Sequence, residues 1–386
     1  MNPARLPLPC LLALGALAFG GARAADPSRI SNLRIDGERW SYEAAGHTIA
    51  GFLLTPKGAG PFAAVIINHG KGGRPEDFSL RWAREVVQWG LVCICPTLTH
   101  VAGTAIQGQD GASAENIARI DDCFAILAGL GSVDRQRVAV VGHSMGAFAT
   151  IAFCGTAPTH ARAAVVCAGG VTTREGVAMP PVDLAARITA PTLIVHGTVD
   201  GAVAPPTSAQ LERLLAQRQI ACRRVLFEGT NHDLPTNPAT RATVLALIRE
   251  WFVDQGVLAP AGNTPPTVAL PADLTIRVDA PPAPLALTVG DRETSPEELI
   301  VSVATSYPRL LPAANIVMAG SGAQRTLQVA PVPGEAGRTT IFVTASDGQL
   351  VTTRSFVLSV ADATGVVPPP VVERPIPGRR GGPPKK

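Results

Sequence analysis

Three side chains far apart in this sequence could together perform acyl-transfer chemistry. The first is Ser144, inside Gly142-His143-Ser144-Met145-Gly146, where the apolar run Val138 to Val141 gives way at once to a small-residue helical pattern. A G-x-S-x-G motif between a strand and a helix is a nucleophile elbow: the bend lifts the serine Oγ clear of the sheet, and small residues two before and two after keep the turn free of clashes. In sheets that carry such an elbow the acid and then the histidine follow along the chain, each just past a later strand. Asp200 follows the β-rich run Thr192 to His196, in HGTVDGAVAP, and His232 follows Arg223 to Phe227, in FEGTNHDLP. His232 would take the Ser144 proton and return it to the leaving group, with Asp200 fixing the tautomer and stabilising the imidazolium. The oxyanion that develops on the attacked carbonyl needs preorganised N–H donors. By position these are the backbone N–H of Met145 and that of Lys71, in the loop His69-Gly70-Lys71-Gly72-Gly73, with Gly72 as second choice.

Other residues compete for these roles. His69, His143 and His196 each adjoin a strand end, where a histidine is more often a structural hydrogen-bonding group than a base. Asp233 neighbours His232, and adjacent loop residues rarely point at one another. Asp183 lies before its nearest strand, at the wrong end of a sheet.

The elements that must position these groups are legible as alternating β-rich and helical runs from Ala25 to about Leu258. Strands are expected at Trp40 to Tyr42, Ile49 to Leu54, Ala63 to Asn68, Leu91 to Pro96, Val138 to Val141, Ala163 to Ala168, Thr192 to His196 and Arg223 to Phe227. Helices are expected at Phe78 to Trp89, Ala114 to Leu130, after the elbow, and at Arg241 to Phe252. This alternation predicts an α/β fold with a mostly parallel sheet and helices on both faces. Between the strand after the elbow helix and the strand before Asp200 only Gly169 to Pro191 remain, too few for a helical lid, which predicts an open, shallow site.

Composition sets the frame. The 386 residues are 46% hydrophobic and 16% charged, enough for two or more domains and a sizeable core, and unlike a disordered or fibrous chain. A formal charge of +3 is too small to argue for nucleic acid. Arg5, the apolar Leu6 to Phe19 and Ala22-Arg23-Ala24 read as a cleavable signal peptide over residues 1–24, so the expected location is secreted or periplasmic. No stretch is long enough to span a bilayer, so an integral membrane protein is not expected. Beyond the signal lie Cys93, Cys95, Cys123, Cys154, Cys167 and Cys222, open to disulfide pairing or to burial as free thiols; no C-x-x-C points to a metal cluster.

After Leu258 the composition changes. Pro260 to Pro266 read as part of a linker over 259–266, and residues 267–362 hold short alternating strands at Thr275 to Val278, Leu285 to Val289, Leu299 to Val303, Thr326 to Val329, Thr339 to Ala345 and Ser355 to Val360. With no helical period among them, a C-terminal antiparallel β-sandwich is predicted, joined by a proline-stiffened linker as a spacer or a weak cell-surface or polysaccharide-binding module. Residues 363–386, with Arg374, Arg379, Arg380, Lys385 and Lys386 among Pro and Gly, read as a disordered basic tail.

Taken together, Gly51 to Gly73, GHSMG, HGTVD and the NHD end resemble the dienelactone hydrolase-like branch of the α/β-hydrolase superfamily, over the whole first domain. The resemblance implies a hydrolase of esters or related acyl compounds, with Ser144, Asp200 and His232 at the triad positions. Ser144 is a departure, since dienelactone hydrolases carry cysteine there, and a general carboxylesterase is the expected activity. NTPPTVALP and FVTASDG resemble bacterial immunoglobulin-like or cadherin-like repeats. Such repeats sometimes bind calcium, and Asp291, Glu293 and Asp347 are the donors that resemblance points to, although without a dense D-x-D cluster solvated turn carboxylates are the better reading.

The expected protein is therefore an exported serine carboxylesterase needing no cofactor and no metal, acting on a small-molecule or polymeric ester. The alternatives are a serine peptidase or amidase on the same fold, and a non-catalytic surface-binding protein on a hydrolase scaffold.

Overall fold

The unbroken apolar runs of the first part of the chain become strands covered on both faces, as buried parallel strands must be. A computed structural model describes residues 29–58, 60–103, 108–157, 159–174, 178–258, 263–281 and 284–369. The expected signal peptide, residues 259–262 of the expected linker and most of the basic tail lie outside the described residues.

The first sheet is built from β1 (Ser31–Asp36), β2 (Arg39–Ala44), β3 (His47–Leu54), β4 (Phe62–Asn68), β5 (Leu91–Pro96), β6 (Val133–His143), β7 (Ala163–Cys167), β8 (Thr192–Gly197) and β9 (Cys222–Phe227). Their spatial order is β1-β2-β3-β5-β4-β6-β7-β8-β9. From β5 to β9 every pairing is parallel, and β1 to β3 form an antiparallel margin. Alternate residues of the central strands face opposite cores. Ala64, Ile66, Val138, Val140 and Ile194 pack with α2 (Ala114–Gly129), α3 (Met145–Thr156), α4 (Val182–Ala185) and α5 (Pro205–Gln217). Val65, Ile67, Ala139, Val141 and Val195 pack with α1 (Ser79–Val86) and α6 (Arg241–Asp254). Strand β1 and helices α4 and α5 were not anticipated. β1 is exposed along its length and carries no buried alternation to read, and α5 is announced only by Pro205 at its first turn.

Two four-stranded sheets follow. One orders β10 (Thr267–Ala269), β12 (Pro284–Gly290), β15 (Gln324–Val329) and β14 (Ile316–Ala319); the other orders β11 (Leu274–Arg277), β17 (Val351–Ala361), β16 (Gly337–Ser346) and β13 (Ile300–Thr305). Leu287, Val289 and Leu327 of the first meet Ile341, Phe356 and Leu358 of the second in one core, which makes a sandwich. It is antiparallel apart from the parallel β11–β17 pair.

One expectation is corrected here: the sandwich is not held off as a spacer. Phe342 of β16 joins the core beneath α6, its ring 4.4 Å from that of Phe227. Glu250 of α6, buried, accepts from the Thr353 N–H at 2.9 Å and lies 3.2 Å from Arg223 Nη1. The same carboxylate pairs with Arg354. Sequence reading missed this because each contact that crosses to the sandwich joins residues about a hundred positions apart.

The cysteines are free thiols among the described residues, five of them buried. Burial pushes Cys154 up to about 12, and it raises the others as well, so they behave as small apolar side chains.

Candidate active site

Ser144 sits where β6 ends and α3 begins, at φ 56° and ψ −121°. This backbone is unfavourable for a residue with a side chain, and it persists because the surroundings hold it. The Ser144 N–H donates to the Cys167 carbonyl at 3.0 Å, and the Ser144 carbonyl accepts from the Phe148 N–H at 3.1 Å. The flanking glycines are required by space. A Cβ on Gly142 would lie 2.2 Å from the Gly146 carbonyl oxygen, and one on Gly146 would lie 2.3 Å from that of Asn68.

His232 lies between the two other groups singled out from the sequence. Its Nε2 is 2.8 Å from Ser144 Oγ and its Nδ1 is 2.8 Å from Asp200 Oδ2. An ionised carboxylate can only accept, so Nδ1 carries the hydrogen and Nε2 is left as acceptor for the serine hydroxyl. Asp200 has no exposed side-chain surface. Its Oδ1 accepts the N–H groups of Ala202 at 2.9 Å and Val203 at 2.8 Å, and its Oδ2 also accepts from His196 Nε2 at 3.1 Å. Burial alone would raise this carboxyl, but the bonds from His196, His232 and Val203 outweigh it and hold the group well below the usual carboxylate range.

The competing histidines turn out to support this set. His196 shares its Nε2 hydrogen between Asp200 and the Val203 carbonyl, 2.9 Å away, and so orients the Asp200 carboxylate. His143 donates from Nε2 to the backbone carbonyl of His232 at 3.1 Å and packs between the rings of Phe78 and His232. Burial, with His232 beside it, lowers His143 to about 4, so its ring is neutral. His69 is likewise lowered to about 4 by burial; its Nδ1 donates to the Gly70 carbonyl and its Nε2 accepts the Leu98 N–H, each at 2.9 Å. Strand-end position marked all three as structural, while their partners could not be read. Asp233 is exposed and makes no bond to His232, and Asp183 lies in α4.

The loop after β4 runs against Ser144: a Cβ on Gly70 would be 3.2 Å from Ser144 Cβ. His100 Nε2 donates to the His69 carbonyl at 3.0 Å and stiffens that loop. The Gly72 N–H donates to the His100 carbonyl at 3.0 Å, so this second choice for an oxyanion donor is corrected. The N–H groups of Lys71 and Met145 have no protein acceptor among the described residues. A cleft of about 860 Å³ opens over Ser144 and His232, walled by Lys71, Met145, Phe148, Val171, Met179 and Val203. Between β7 and β8 the described residues hold one helix, the four-residue α4, packed against α3 with Leu184 under Gly155.

In the sandwich each candidate calcium donor residue accepts hydrogen bonds from its own loop or from Thr264. Asp291 Oδ1 accepts the N–H groups of Glu293 and Thr294, Asp347 Oδ1 those of Gln349 and Leu350, and Glu293 the N–H and hydroxyl of Thr264. Among the described residues no three His, Cys, Asp or Glu side chains gather as metal ligands, and no helix is long and apolar enough to cross a membrane.

Elbow, strand order and converging side chains are those of an α/β-hydrolase, and the profile of the dienelactone hydrolase family matches residues 49–241, half of the chain. The chain belongs to the dienelactone hydrolase family. It is an esterase-type hydrolase, and the matched stretch contains Ser144, Asp200 and His232. No curated protein matches the chain in sequence. Among solved structures it is similar to Thermogutta terrifontis esterase 2 phosphonylated by cyclosarin, at 20% identity and a TM-score of 0.48, covering 56% of this chain and 93% of that one. It is also similar to the native form of that esterase, at 19% identity and a TM-score of 0.48, covering 60% and 95%. A candidate dienelactone hydrolase from Klebsiella pneumoniae subsp. pneumoniae MGH 78578 is similar at 20% identity and a TM-score of 0.48, covering 54% and 94%.

Proposed function

We propose that this hydrolase is an exported serine carboxylesterase working through Ser144, His232 and Asp200. The observation that carries the reading is the position of His232, 2.8 Å from the serine hydroxyl on one side and 2.8 Å from a buried carboxylate on the other. Ser144 Oγ attacks the ester carbonyl as His232 takes its proton, and the N–H groups of Met145 and Lys71 receive the oxyanion. Collapse expels the alcohol, protonated by His232, and leaves an acyl-enzyme that water attacks with the same base. Asp200 stays ionised throughout, which its four hydrogen bonds favour. The serine nucleophile favours simple carboxylic esters as substrates.

The site is open and lidless in this reading, supported by the short β7–β8 connection, and accepts bulky or polymeric esters. Export rests on the signal-like residues 1–24, and the chain divides into a catalytic domain over 25–258, a linker over 259–266 and an immunoglobulin-like sandwich over 267–362.

A panel of p-nitrophenyl esters of graded acyl length, run beside matching anilides, tests the reading. Turnover of the esters, with fluorophosphonate labelling that Ser144→Ala abolishes, is expected. Faster cleavage of anilides would make the protein an amidase, and labelling that survives in Ser144→Ala would remove the assigned nucleophile.

A further inference from the structure

The loop that carries His232 is held from outside its own sheet. β9 is the edge strand of the large sheet, so its outward backbone groups need partners from elsewhere. The sandwich supplies them. Thr340 Oγ1 accepts the Glu228 N–H at 3.0 Å and donates to the Leu226 carbonyl at 3.3 Å. Ser306 Oγ donates to the Glu228 carbonyl, and Thr230 Oγ1 donates to the Ser306 carbonyl at 2.7 Å. Ser306 is itself fixed by β16, its N–H donating to the Thr340 carbonyl at 2.9 Å and its Oγ accepting the Thr340 N–H at 2.8 Å. The Tyr307 ring lies on Gly229, where φ is +69° and a Cβ would come within 2.8 Å of Tyr307 Cγ. From the other side the same segment is bonded to the end of β8. The Gly229 N–H donates to Thr198 Oγ1 at 3.0 Å, and the Thr230 carbonyl accepts the Val199 N–H at 3.2 Å. The residue after Val199 is Asp200, and two after Thr230 comes His232.

We propose that Ser306, Tyr307 and Thr340 of the sandwich are positioning residues for the hydrolytic reaction, clamping Glu228–Thr230 against the β8 end so that His232 stays in register with Ser144 and Asp200. The sandwich is then part of the catalytic unit, built in cis. The proposal rests on the triad reading above. Its physical basis is the steep dependence of proton transfer on geometry: displacement of a catalytic group by about 1 Å costs on the order of 100-fold in rate. Without the sandwich the Glu228 backbone groups and the buried Thr230 hydroxyl would lose their partners, and the loop would be free to shift.

Thr230→Val in the full chain keeps the shape of the side chain and removes its donor. Expected is a roughly 10- to 100-fold fall in kcat for a short p-nitrophenyl ester, with KM and melting temperature near those of the parent. Thr230→Ser should restore kcat, and the downfield proton resonance of His232 Nδ1–H should broaden in Thr230→Val alone. A folded Thr230→Val with parental kcat and an unaltered resonance overturns the proposal. If Thr230→Val loses the fold, Tyr307→Leu, at a partly buried ring, is read in the same way. Loss of the fold in both variants would put these contacts in the folding core and overturn the proposal too. A parent chain that neither hydrolyses esters nor takes up fluorophosphonate would sink the triad reading, while the resonance comparison still reports on the clamp.

Discussion

The large sheet and the sandwich both carry hydrogen-bonded carboxylates, but they use them at different range. In the sandwich Asp291 and Asp347 bind N–H groups two and three residues onward, closing their own turns. In the hydrolase sheet Asp200 also closes a local turn through Ala202 and Val203, yet its second oxygen is shared by His196 and by His232, 32 positions away, which reaches Ser144 across 88 positions. A turn-closing carboxylate asks only for the right neighbours in sequence. A carboxylate able to orient an imidazole needs burial, a second donor and strand ends that converge, and of Asp200, Asp291 and Asp347 only Asp200 meets those demands.

That contrast can be broken by substitution, and the largest effect should come from Asp200→Asn. The amide no longer enforces the Nδ1–H tautomer, so kcat should fall about 10⁴-fold with the fold intact; ester kinetics with circular dichroism measure it, and a loss below tenfold would separate Asp200 from the chemistry. Gly142→Ala comes next. Its Cβ would meet the Gly146 carbonyl at 2.2 Å, and a cost of about 3 kcal/mol in urea unfolding is expected, whereas Gly348, at a sandwich turn with open space around it, has no such clash.

A pH titration of stability sharpens the comparison at smaller scale. His69 and His143 are lowered to about 4 by burial, against about 6.5 in an unfolded chain. Below about 6.5 the unfolded chain therefore binds protons that the folded one refuses, so their contribution is full above that pH and is lost as pH falls toward 4. Each contributes on the order of 1–3 kcal/mol, and the melting temperature should decline across this window. A flat profile would mean the two rings are charged or solvated. Asp200 acts further down: its stabilisation holds above the ordinary carboxylate range and is lost only as pH drops through its depressed folded value. Asp347→Asn should do least, within about 0.5 kcal/mol and with unchanged kcat, because an asparagine oxygen closes the same turn; calcium should not shift the melting point of either form.

Much of the site was legible because its signals are local. GHSMG states its turn by composition, and Asp200 and His232 stand just past β-rich runs. Lys71 was readable as the residue after a strand and His69-Gly70. Gly72 was not separable from it, since only the fold brings the His100 carbonyl to the Gly72 N–H. His196 and His143 were visible as strand-end histidines, but their bonds to Asp200 and to the His232 carbonyl depend on how neighbouring strands end side by side. In the sandwich, alternation revealed most strands and missed β10 and β14, strands of three and four residues with only partial burial.

By itself, then, the sequence determined the α/β order, the elbow, the strand-end positions of Asp200 and His232 and the change to short strands beyond Leu258, because residue periodicity and turn chemistry act over a few neighbours. Only the tertiary structure decided which N–H groups stay free above Ser144, which histidines support His232 and Asp200, and that the sandwich closes on the β9 edge. Those outcomes depend on which groups, distant along the chain, burial forces to satisfy one another, and no local pattern encodes that pairing.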